Sequence, residues 1–405
     1  MDYFHQTSIG SGFVRADHPL NLAPATVNDY RALARRRLPR QLFDYIDGGA
    51  YEESSMRSNV ADLDRLALRQ VVMRDVSTRS QEVEVLGQRL AMPLILAPVG
   101  LAGMFARRSE VQAARAAQAA GVPFVESTVS ICPIEEVARA TSSPPWFQLY
   151  VMRDRSYAEE LMARAQTVGA PVLVLTVDLA VVGARKRDIR NAVLGDPPLS
   201  ARLRRGLDLV SHPRWMLDVP VRGGPLSFGN LKRPGQPAPS ALKAWIPEFD
   251  PSVTWDDVAW VREHWNGPLV VKGVLDAEDA RRAVEAGVDG IVVSNHGGRQ
   301  LDSVPSTVTA LPDVVDAVGD RVEVLVDGGA RTGLDVVKFL ALGARAVLMG
   351  RAWAWSVAAR GEAGVRHVLE VIKADIDVAL ALTGHTSVLD LDRTALYRQG
   401  SPVST

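Results

Sequence analysis

Hydrophobic residues along the chain come in eight short runs, and most runs are followed by a loop and then by a helical pattern. The runs lack polar alternation and are rich in valine, leucine and isoleucine, as expected for strands buried on both faces. Several of the helical segments end on glycine, a common helix terminator. The runs are PLILAPV (93–99), PFVES (123–127), WFQLYV (146–151), PVLVLTVD (171–178), PLVVKGV (268–274), DGIVVSN (289–295), VEVLVDG (322–328) and AVLMGR (346–351).

Eight strand–helix alternations predict parallel βαβ units, and eight is the number that closes a (β/α)8 TIM barrel. Asp276 and Thr332 stand where helix N-caps are expected. An open doubly wound sheet is the alternative fold, but no G-x-G-x-x-G fingerprint follows the first strand. We therefore expect an α/β protein of the barrel class.

Two segments do not fit the repeat. The segment before the barrel contains two expected short helices that separate near Pro39. A long connection, rich in proline and glycine, joins the fourth and fifth strands, and connections of such length are usually functional or disordered. The expected single domain over 1–405 divides into an N-terminal helical segment (1–92), the barrel (93–191 and 254–360), the insertion (192–253) and a C-terminal helix and tail (361–405).

Composition narrows the class of protein. The chain has 405 residues, 47% of them hydrophobic, which is ample for a large core, and its net charge of -1 gives no global nucleic-acid footprint. The single cysteine, Cys132, cannot form an internal disulfide and suits a reducing compartment. Neither a signal peptide nor an apolar stretch of about 18 residues is present, so we expect a cytoplasmic protein that at most touches a membrane surface.

Polar residues and glycines gather at the carboxyl ends of the predicted strands. In a parallel barrel all these ends lie on one face, where active sites are found. A single polar residue at a strand end is usually a cap, but eight strands with this feature indicate a site. The residues concerned are Pro98, Val99, Gly100, Ser127, Thr128, Gln148, Tyr150, Thr176, Asp178, Lys272, Ser294, Asn295, His296, Asp327, Gly328, Gly329, Gly350 and Arg351.

The stretch SNHGGRQ (294–300) follows a buried strand directly. An imidazole exchanges protons near neutral pH, and although a lone histidine is usually a core residue, the strand-end position of His296 near Arg299 favours catalysis. Lys272 ends an otherwise apolar strand, where a lysine is rarely present for packing alone. The turns DGGARTG and GRA after the last two strands suit a phosphate. No cysteine–histidine cluster suggests a metal.

The motif SNHGGRQLD (294–302) resembles the signature of the FMN-dependent L-2-hydroxy-acid dehydrogenases and oxidases. The stretches YIDGGAYEE, LAPVGLAGMFARR, STVSICPIEEV, WFQLYVMRDR, HPRW, KGVLDAEDA and LALGARAVLMGRA look like the bacterial respiratory L-lactate dehydrogenases in particular. The resemblance implies FMN and the oxidation of an L-2-hydroxy acid, with L-lactate to pyruvate favoured and electrons passed to a quinone or another respiratory acceptor. An oxidase that uses oxygen, a mandelate or glycolate enzyme, an FMN-dependent isomerase and a non-catalytic flavin-binding barrel are the alternatives.

The resemblance also implies roles for residues. His296 matches the catalytic base, and Asp178 matches the carboxylate that orients it and stabilises its charged form, as in hydrolase triads. Arg299 matches the arginine that binds the substrate carboxylate through two parallel donors. Further active-site positions are Tyr45 and Arg185 at the carboxylate and Tyr150 at the substrate hydroxyl.

The cofactor contacts implied by the resemblance fall into two groups. A flavin ring requires hydrogen bonds and a positive charge near N1, and Lys272 matches that charge. Cations and backbone amides after the last two strands match the phosphate contacts. The implied FMN-binding residues are Pro98, Val99, Gly100, Ser127, Gln148, Thr176, Lys272, Ser294, Asp327, Gly328, Gly329, Arg331, Gly350 and Arg351.

Some positions depart from the pattern. Val129 stands where several plant relatives carry tryptophan, which leaves the size of the substrate open. Glu126 lies inside the second strand, where we expect it to face the helix layer and pair with a cation. Lys186 and Arg187 are interpreted as solvated loop charges. The arginines at 35–37 and 40 fit a solvated helix face better than a nucleic-acid site.

The insertion is basic and apolar at once. A solvated lid over the active site and a surface that meets an anionic membrane are both open interpretations. The second fits a respiratory enzyme that delivers electrons to a membrane quinone, and the family resemblance implies it too, because mandelate dehydrogenase uses the corresponding region as an anchor. We expect a homo-oligomer, a tetramer, with peripheral contact to the cytoplasmic face of the inner membrane. The residues concerned are Arg202, Arg204, Arg205, Arg214, Arg222, Lys232, Arg233 and Lys243, interleaved with Leu203, Leu207, Leu209, Trp215, Met216 and Leu217.

Overall fold

A computed structural model of the chain describes residues 24–191, 199–224, 226–231 and 248–397. Eight parallel strands form a barrel, as predicted, and each predicted hydrophobic run contains one of them. A parallel bridge between Leu96 and Phe124 joins the first barrel strand to the second and closes the ring. An antiparallel hairpin of β1 (Val83–Val85) and β2 (Gln88–Leu90) precedes the barrel strands β3 (Leu94–Leu96), β4 (Val125–Ser127), β5 (Trp146–Leu149), β6 (Leu173–Thr176), β7 (Leu269–Val274), β8 (Gly290–Val293), β9 (Glu323–Asp327) and β10 (Ala346–Met349).

Helices surround the barrel and cover one of its ends. The predicted N-caps are confirmed, since the side chain of Asp276 accepts from Glu278 N and that of Thr332 from Asp335 N. The helices are α1 (Val27–Arg37), α2 (Arg40–Asp47), α3 (Ser54–Arg65), α4 (Ser109–Ala120), α5 (Ile134–Arg139), α6 (Arg155–Thr167), α7 (Lys186–Arg190), α8 (Leu199–Val210), α9 (Pro213–Met216), α10 (Trp255–His264), α11 (Ala277–Glu285), α12 (Thr307–Val318), α13 (Gly333–Ala341) and α14 (Arg351–Thr383), and α14 is kinked at Arg360 and Gly361.

The N-terminal segment contains one helix more than the two expected. Helices α1 and α2 separate near Pro39 as predicted, but α3 was not foreseen. Its N-terminus has no local side-chain cap and is capped by Asp302, which accepts from Ser54 N and Ser55 N. A cap supplied by a residue so far along the chain leaves no local sequence signal.

The described part of the insertion, which the sequence presents as a long connection rich in proline and glycine, is helical over 199–210 and 213–221. It contains α8, α9 and a π-helical turn at Leu217–Val221. Its contacts with the body include Trp215 Nε1, which donates to Met104 O at 2.8 Å, and Asp208 Oδ2, which accepts from Arg40 N at 2.8 Å. The predicted basic residues Lys232, Arg233 and Lys243 lie outside the described residues.

Side chains alternate along each strand between the barrel interior and the helix layer. Val125 belongs to the core inside the barrel, so its neighbour Glu126 points outwards, as expected. No cation pairs with Glu126 among the described residues, because the nearby Arg108 pairs with Glu136 instead. Burial, and then the neighbouring Glu110, raise the pKa of Glu126 well above its usual range.

The replacement Glu126→Gln should therefore stabilise the protein increasingly as the pH rises. A folded-state pKa above the unfolded value means that the protonated form favours folding, so wild-type stability falls as pH rises from the ordinary carboxyl range towards the raised pKa. Glutamine keeps the shape without the charge. Thermal unfolding of the cofactor-loaded protein between about pH 5 and pH 8 measures the difference. A difference independent of pH, or one also shown by the exposed control Glu263→Gln, would contradict this account.

Candidate active site

A pocket opens at the carboxyl ends of the barrel strands. All but two of the residues with a predicted catalytic or binding role line it, and the two exceptions, Asp178 and Ser294, lie directly behind lining residues. The predicted residues in its wall are Tyr45, Pro98, Val99, Gly100, Ser127, Gln148, Tyr150, Thr176, Arg185, Lys272, His296, Arg299, Asp327, Gly328, Gly329, Arg331, Gly350 and Arg351.

A histidine and an aspartate form the most reactive pair of the pocket. His296 Nδ1 lies 2.8 Å from Asp178 Oδ1, so Nδ1–H donates to the carboxylate and Nε2 is the basic nitrogen. Burial lowers the pKa of His296 more than Asp178 raises it. Burial raises the pKa of Asp178, but His296 and Lys272 lower it overall. The pair therefore holds a charged carboxylate and a neutral imidazole at neutral pH.

Glycine at position 273 permits this arrangement. Its φ of 116° is unfavourable for other residues, and a Cβ there would lie 2.6 Å from Asp178 Cβ. The same irregularity interrupts the pairing of β7 with β8 between Lys272 and Val274. The dipeptide Lys272–Gly273, just before the end of this strand, therefore supplies a cation to the pocket and space for the aspartate.

Lys272 is a buried and paired cation. Its Nζ lies 2.8 Å from Asp327 Oδ2 and donates to Ser294 Oγ at 2.8 Å. Burial lowers the pKa of Lys272, but Asp327 and Asp178 raise it overall, so the amine stays charged. Ser294 Oγ also accepts from His296 N at 3.0 Å. Ser294 therefore connects the lysine to the loop that carries His296, here called the histidine loop.

Two arginines occupy the side of the pocket next to the N-terminal segment. Arg299 Nη1 donates to Tyr45 O at 2.6 Å and to Gly48 O at 2.9 Å, and its Cζ lies 4.9 Å from the centre of the Tyr45 ring. Arg185 Nε donates to Arg299 O at 3.4 Å. Burial and then Arg185 lower the pKa of Arg299 to about 10. Such closely spaced cations favour an anionic ligand.

Two further arginines lie beyond the ends of β9 and β10. Arg351 donates to Ile46 O, Gly297 O and Gly48 O at 2.8 to 3.1 Å, and Arg331 lies 5.1 Å over the Trp355 ring. Burial lowers the pKa of both arginines, that of Arg331 to about 10. Gly328 and Gly329, which follow β9 and form the neighbouring glycine turn, have φ values of 94° and 99°. Two cations and a glycine turn after the last two strands match the arrangement of the usual phosphate site of a barrel.

Several buried polar atoms of this site have no hydrogen-bond partner within the described protein. They are Gln148 Nε2, Thr176 Oγ1, Asp178 Oδ2 and Asp327 Oδ1. Buried polar groups are usually paired, so these atoms indicate a bound group that supplies both donors and acceptors. A flavin ring with a phosphate-bearing chain fits this donor and acceptor set together with the cations described above.

Some lining residues were not predicted. Phe249 packs against Tyr150 with ring centres 5.2 Å apart, and Leu179 and Val182 continue the apolar wall. Phe249 comes from the end of the insertion, where hydrophobic periodicity gives no signal. Val129, noted from the sequence, lines the pocket, and a Cβ at Gly100 would lie 2.6 Å from its Cγ2.

The interpretation of Arg187 as a solvated loop charge was wrong. Its Nη1 lies 2.8 Å from Asp47 Oδ2 and its Nη2 lies 2.6 Å from Glu53 Oε2. Asp47 is 3% exposed and also binds Arg31. The ion pairs connect α7, which follows β6, to the N-terminal segment, and of these two residues only Lys186, paired with Glu52, is a surface charge.

Comparison with known proteins agrees with this geometry. The family model described as FMN-dependent dehydrogenase matches residues 34–398. A protein of Azorhizobium caulinodans named L-lactate dehydrogenase is 53% identical over 372 residues, which cover 91% of this chain and 97% of that protein. A second, of Caulobacter vibrioides, bears the same name and is 53% identical over 376 residues, which cover 92% of this chain and 97% of that protein.

Similar proteins with solved structures are also enzymes that act on 2-hydroxy acids. The crystal structure of the monotopic membrane protein (S)-mandelate dehydrogenase superposes with a TM-score of 0.87 at 40% identity, covering 93% of this chain and all of that one. The crystal structure of a mandelate oxidase variant with 2-hydroxy-phenylacetamide superposes with a TM-score of 0.78 at 37% identity, covering 94% of this chain and all of that one. With its barrel, its pocket and these relatives, the chain belongs to the family of FMN-dependent dehydrogenases and is an oxidoreductase of 2-hydroxy acids.

Proposed function

We propose that this enzyme oxidises L-lactate to pyruvate and passes the electrons from FMN to a membrane quinone. The observation that carries the proposal is the His296–Asp178 pair beside Arg185 and Arg299 in one pocket. The relatives named L-lactate dehydrogenase, which are 53% identical over nine-tenths of the chain, favour lactate.

The reaction removes the hydroxyl proton and, from the substrate Cα, one hydrogen together with two electrons, the equivalent of a hydride. FMN, when bound, supplies the two-electron acceptor. His296 Nε2 takes the hydroxyl proton, and Asp178 stabilises the imidazolium that results. Arg299 and Arg185 hold the carboxylate, and Tyr45 lies beside them. These contacts orient the hydroxyl towards His296.

Tyr150 remains a neutral hydrogen-bond donor in this scheme. Burial, and then the nearby Asp178, raise the pKa of its phenol, so ionisation is disfavoured. Its hydroxyl is proposed to donate to the substrate oxygen that loses its proton to His296. The packing of Phe249 against the ring fixes the position of Tyr150.

The cofactor contacts follow from the same pocket. Lys272 supplies a buried positive charge for the flavin ring, and Asp327 and Ser294 fix its amine. Further ring contacts are proposed for Ser127 and for the unpartnered atoms of Gln148 and Thr176. The phosphate contacts are proposed for the glycine turn, Arg331, Gly350 and Arg351, and the remaining ring contacts for the backbone at Pro98, Val99 and Gly100.

Mandelate is the second candidate substrate, because a mandelate dehydrogenase shares the fold closely. Val129 lines the pocket at the position where several plant relatives carry the larger tryptophan, so this part of the wall is compatible with a larger acid. Addition of each acid to the yellow protein without oxygen distinguishes the two. Bleaching by L-lactate at the higher kred/Kd supports the proposal, and preference for mandelate or glycolate contradicts it.

Loss of the proposed base gives a sharp prediction. The variant His296→Gln should retain FMN but reduce it about 10² to 10⁴ times more slowly with L-lactate, the usual effect of removing a general base. Stopped-flow absorbance under anaerobic conditions measures the rate. The variant His264→Gln, on α10 outside the pocket, is the control. A near wild-type rate in His296→Gln would contradict the assignment of His296 as the base.

A second prediction concerns the phosphate site. Hydrogen bonds to charged groups contribute about 1.5–3 kcal/mol, so Arg331→Met should weaken FMN binding about tenfold or more. The unfolding temperature of the FMN-free protein should not fall, because the substitution removes a cation whose pKa burial lowers to about 10. Fluorescence titration and thermal unfolding measure the two effects. Unchanged FMN affinity, or an equal loss in the exposed control Arg321→Met, would contradict the role.

We further propose that the insertion binds an anionic membrane. In α8 the residues Leu199, Leu203, Leu207 and Val210 follow helical spacing and are 62% to 73% exposed. Asp208 and Leu209 occupy the opposite side, towards the body of the protein. The apolar stripe therefore faces away from the barrel, as in a helix that lies in a membrane interface.

The charge of this region supports the same interpretation. Residues 199–224 contain five arginines and two aspartates, a net charge of +3, which suits an anionic lipid surface. None of residues 199–224 lines the pocket, which disfavours the alternative of a lid for this described part. No helix among residues 24–191, 199–224, 226–231 and 248–397 combines the length and hydropathy needed to cross a bilayer. The binding is therefore proposed as peripheral, on the cytoplasmic face, and the tetramer stays a prediction.

Membrane binding can be tested without deletion of the insertion. The double variant Leu203→Ser/Leu207→Ser should lose most co-sedimentation with vesicles of anionic lipid at low salt, because it removes apolar area from the stripe. Its flavin reduction by L-lactate should be unchanged. The double variant Leu382→Ser/Leu389→Ser changes two leucines that are each 56% exposed elsewhere and serves as control. Equal binding by both variants, or no binding by the wild type, would contradict the proposal.

A further inference from the structure

The loop that carries His296 has an unusual backbone. His296, Gly297 and Gly298 have φ values of 56°, 63° and 73°, three left-handed residues in succession. Glycine adopts this region readily, whereas histidine does so rarely. Such a conformation persists only where surrounding contacts hold it. The contacts around His296 therefore help to set the orientation of its imidazole.

A reciprocal amide pair holds the start of this turn. Asn59 Nδ2 donates to Asn295 Oδ1 at 2.8 Å, and Asn295 Nδ2 donates to Asn59 Oδ1 at 2.8 Å. The residues are 2% and 4% exposed. Asn295 Oδ1 also accepts from Gly298 N at 3.1 Å, so this amide spans the left-handed turn. Asn59 pairs with both polar atoms of the Asn295 amide, whereas Pro305 O, at 3.2 Å, accepts only from Nδ2.

Asn59 also contacts the neighbouring loop. Its Oδ1 accepts from Thr307 N at 3.2 Å, and Thr307 Oγ1 donates to Gly328 O at 3.2 Å. A Cβ at Gly329 would lie 2.2 Å from Asn59 O, so the backbone of α3 packs directly on the glycine turn after β9. One side chain from the N-terminal segment thus links the histidine loop to the turn beside the proposed phosphate site.

Helix α3 is fastened to the histidine loop at a second point. Asp302 accepts from Ser54 N, Ser55 N and Ser54 Oγ at 2.7 to 3.2 Å. Ala50 N donates to Gly298 O at 2.8 Å. Because the helix is held at its N-terminus by these bonds, Asn59 has a fixed position over Asn295.

We propose that Asn59 is a positioning residue for the oxidation reaction. It holds Asn295, and through it the left-handed turn that presents His296 to Asp178 and to the substrate. An aspartate at position 59 could accept from Asn295 Nδ2 but could donate to Asn295 Oδ1 only when protonated. The proposal rests on the assignment of His296 as the base.

The test compares Asn59→Ala and Asn59→Asp with the wild type in anaerobic flavin reduction by L-lactate. We expect the limiting rate to fall at least about tenfold in Asn59→Ala, an effect that corresponds to a small misplacement of a catalytic group. The Kd for lactate should change less, because Arg299 has its own anchors at Tyr45 O and Gly48 O. The rate of Asn59→Asp relative to Asn59→Ala should rise as the pH is lowered, since protonation restores the missing donor.

The control is Gln81→Ala, which removes another buried amide that donates to Lys373 O at 2.8 Å, outside the pocket. It should lower the unfolding temperature without a loss of reduction rate. If Asn59→Ala behaves in the same way, with a rate within about twofold of wild type, Asn59 is structural only and the proposal fails. If Asn59→Ala does not fold, Asn59→Ser supplies the same readout. If His296→Gln itself reduces FMN at the wild-type rate, the base assignment fails and the proposal with it.

Discussion

Four arginines packed at one end of the barrel are the constraint around which the site is arranged. Arg185, Arg299, Arg331 and Arg351 have no carboxylate within ion-pair distance among the described residues, and burial lowers the pKa of the last three. The hydrogen bonds of their guanidinium groups go to backbone carbonyls, which satisfy the donors without a directly paired carboxylate. The protein therefore favours anionic groups here, and the substrate carboxylate and the FMN phosphate are such groups.

Lys272 differs from these arginines because its charge is paired directly with a carboxylate. Its amine has a carboxylate at 2.8 Å, and its pKa is raised despite burial. The arginines favour anions, whereas the lysine is already paired with a carboxylate and holds a fixed positive charge, which is the charge proposed for the flavin ring. The same region of the barrel therefore contains two kinds of cation, and the difference lies in the position of Asp327.

Much of this could be predicted from the sequence, and the exceptions have a common cause. The barrel strands and the strand-end residues follow from local patterns, because buried parallel strands are apolar runs and their ends share one face. Helix α3, Phe249 and the pairing of Arg187 were missed. Each depends on a contact between segments far apart in the chain, and single-sequence patterns report only local preferences. The prediction that Glu126 lies on the outer face of the barrel was correct. The predicted cation partner was not found among the described residues, because the nearby Arg108 forms its ion pair with Glu136.

The N-terminal segment is part of the active site rather than an attachment to the barrel. The carbonyl of Gly48 accepts from Arg299 at 2.9 Å and from Arg351 at 2.8 Å, so a single peptide joins the proposed carboxylate and phosphate sites. Asp47 holds that peptide through Arg31 and Arg187. Movement of this segment would therefore disturb substrate and cofactor contacts together. The positioning role proposed for Asn59, a helix residue outside the pocket, is a further case of this dependence.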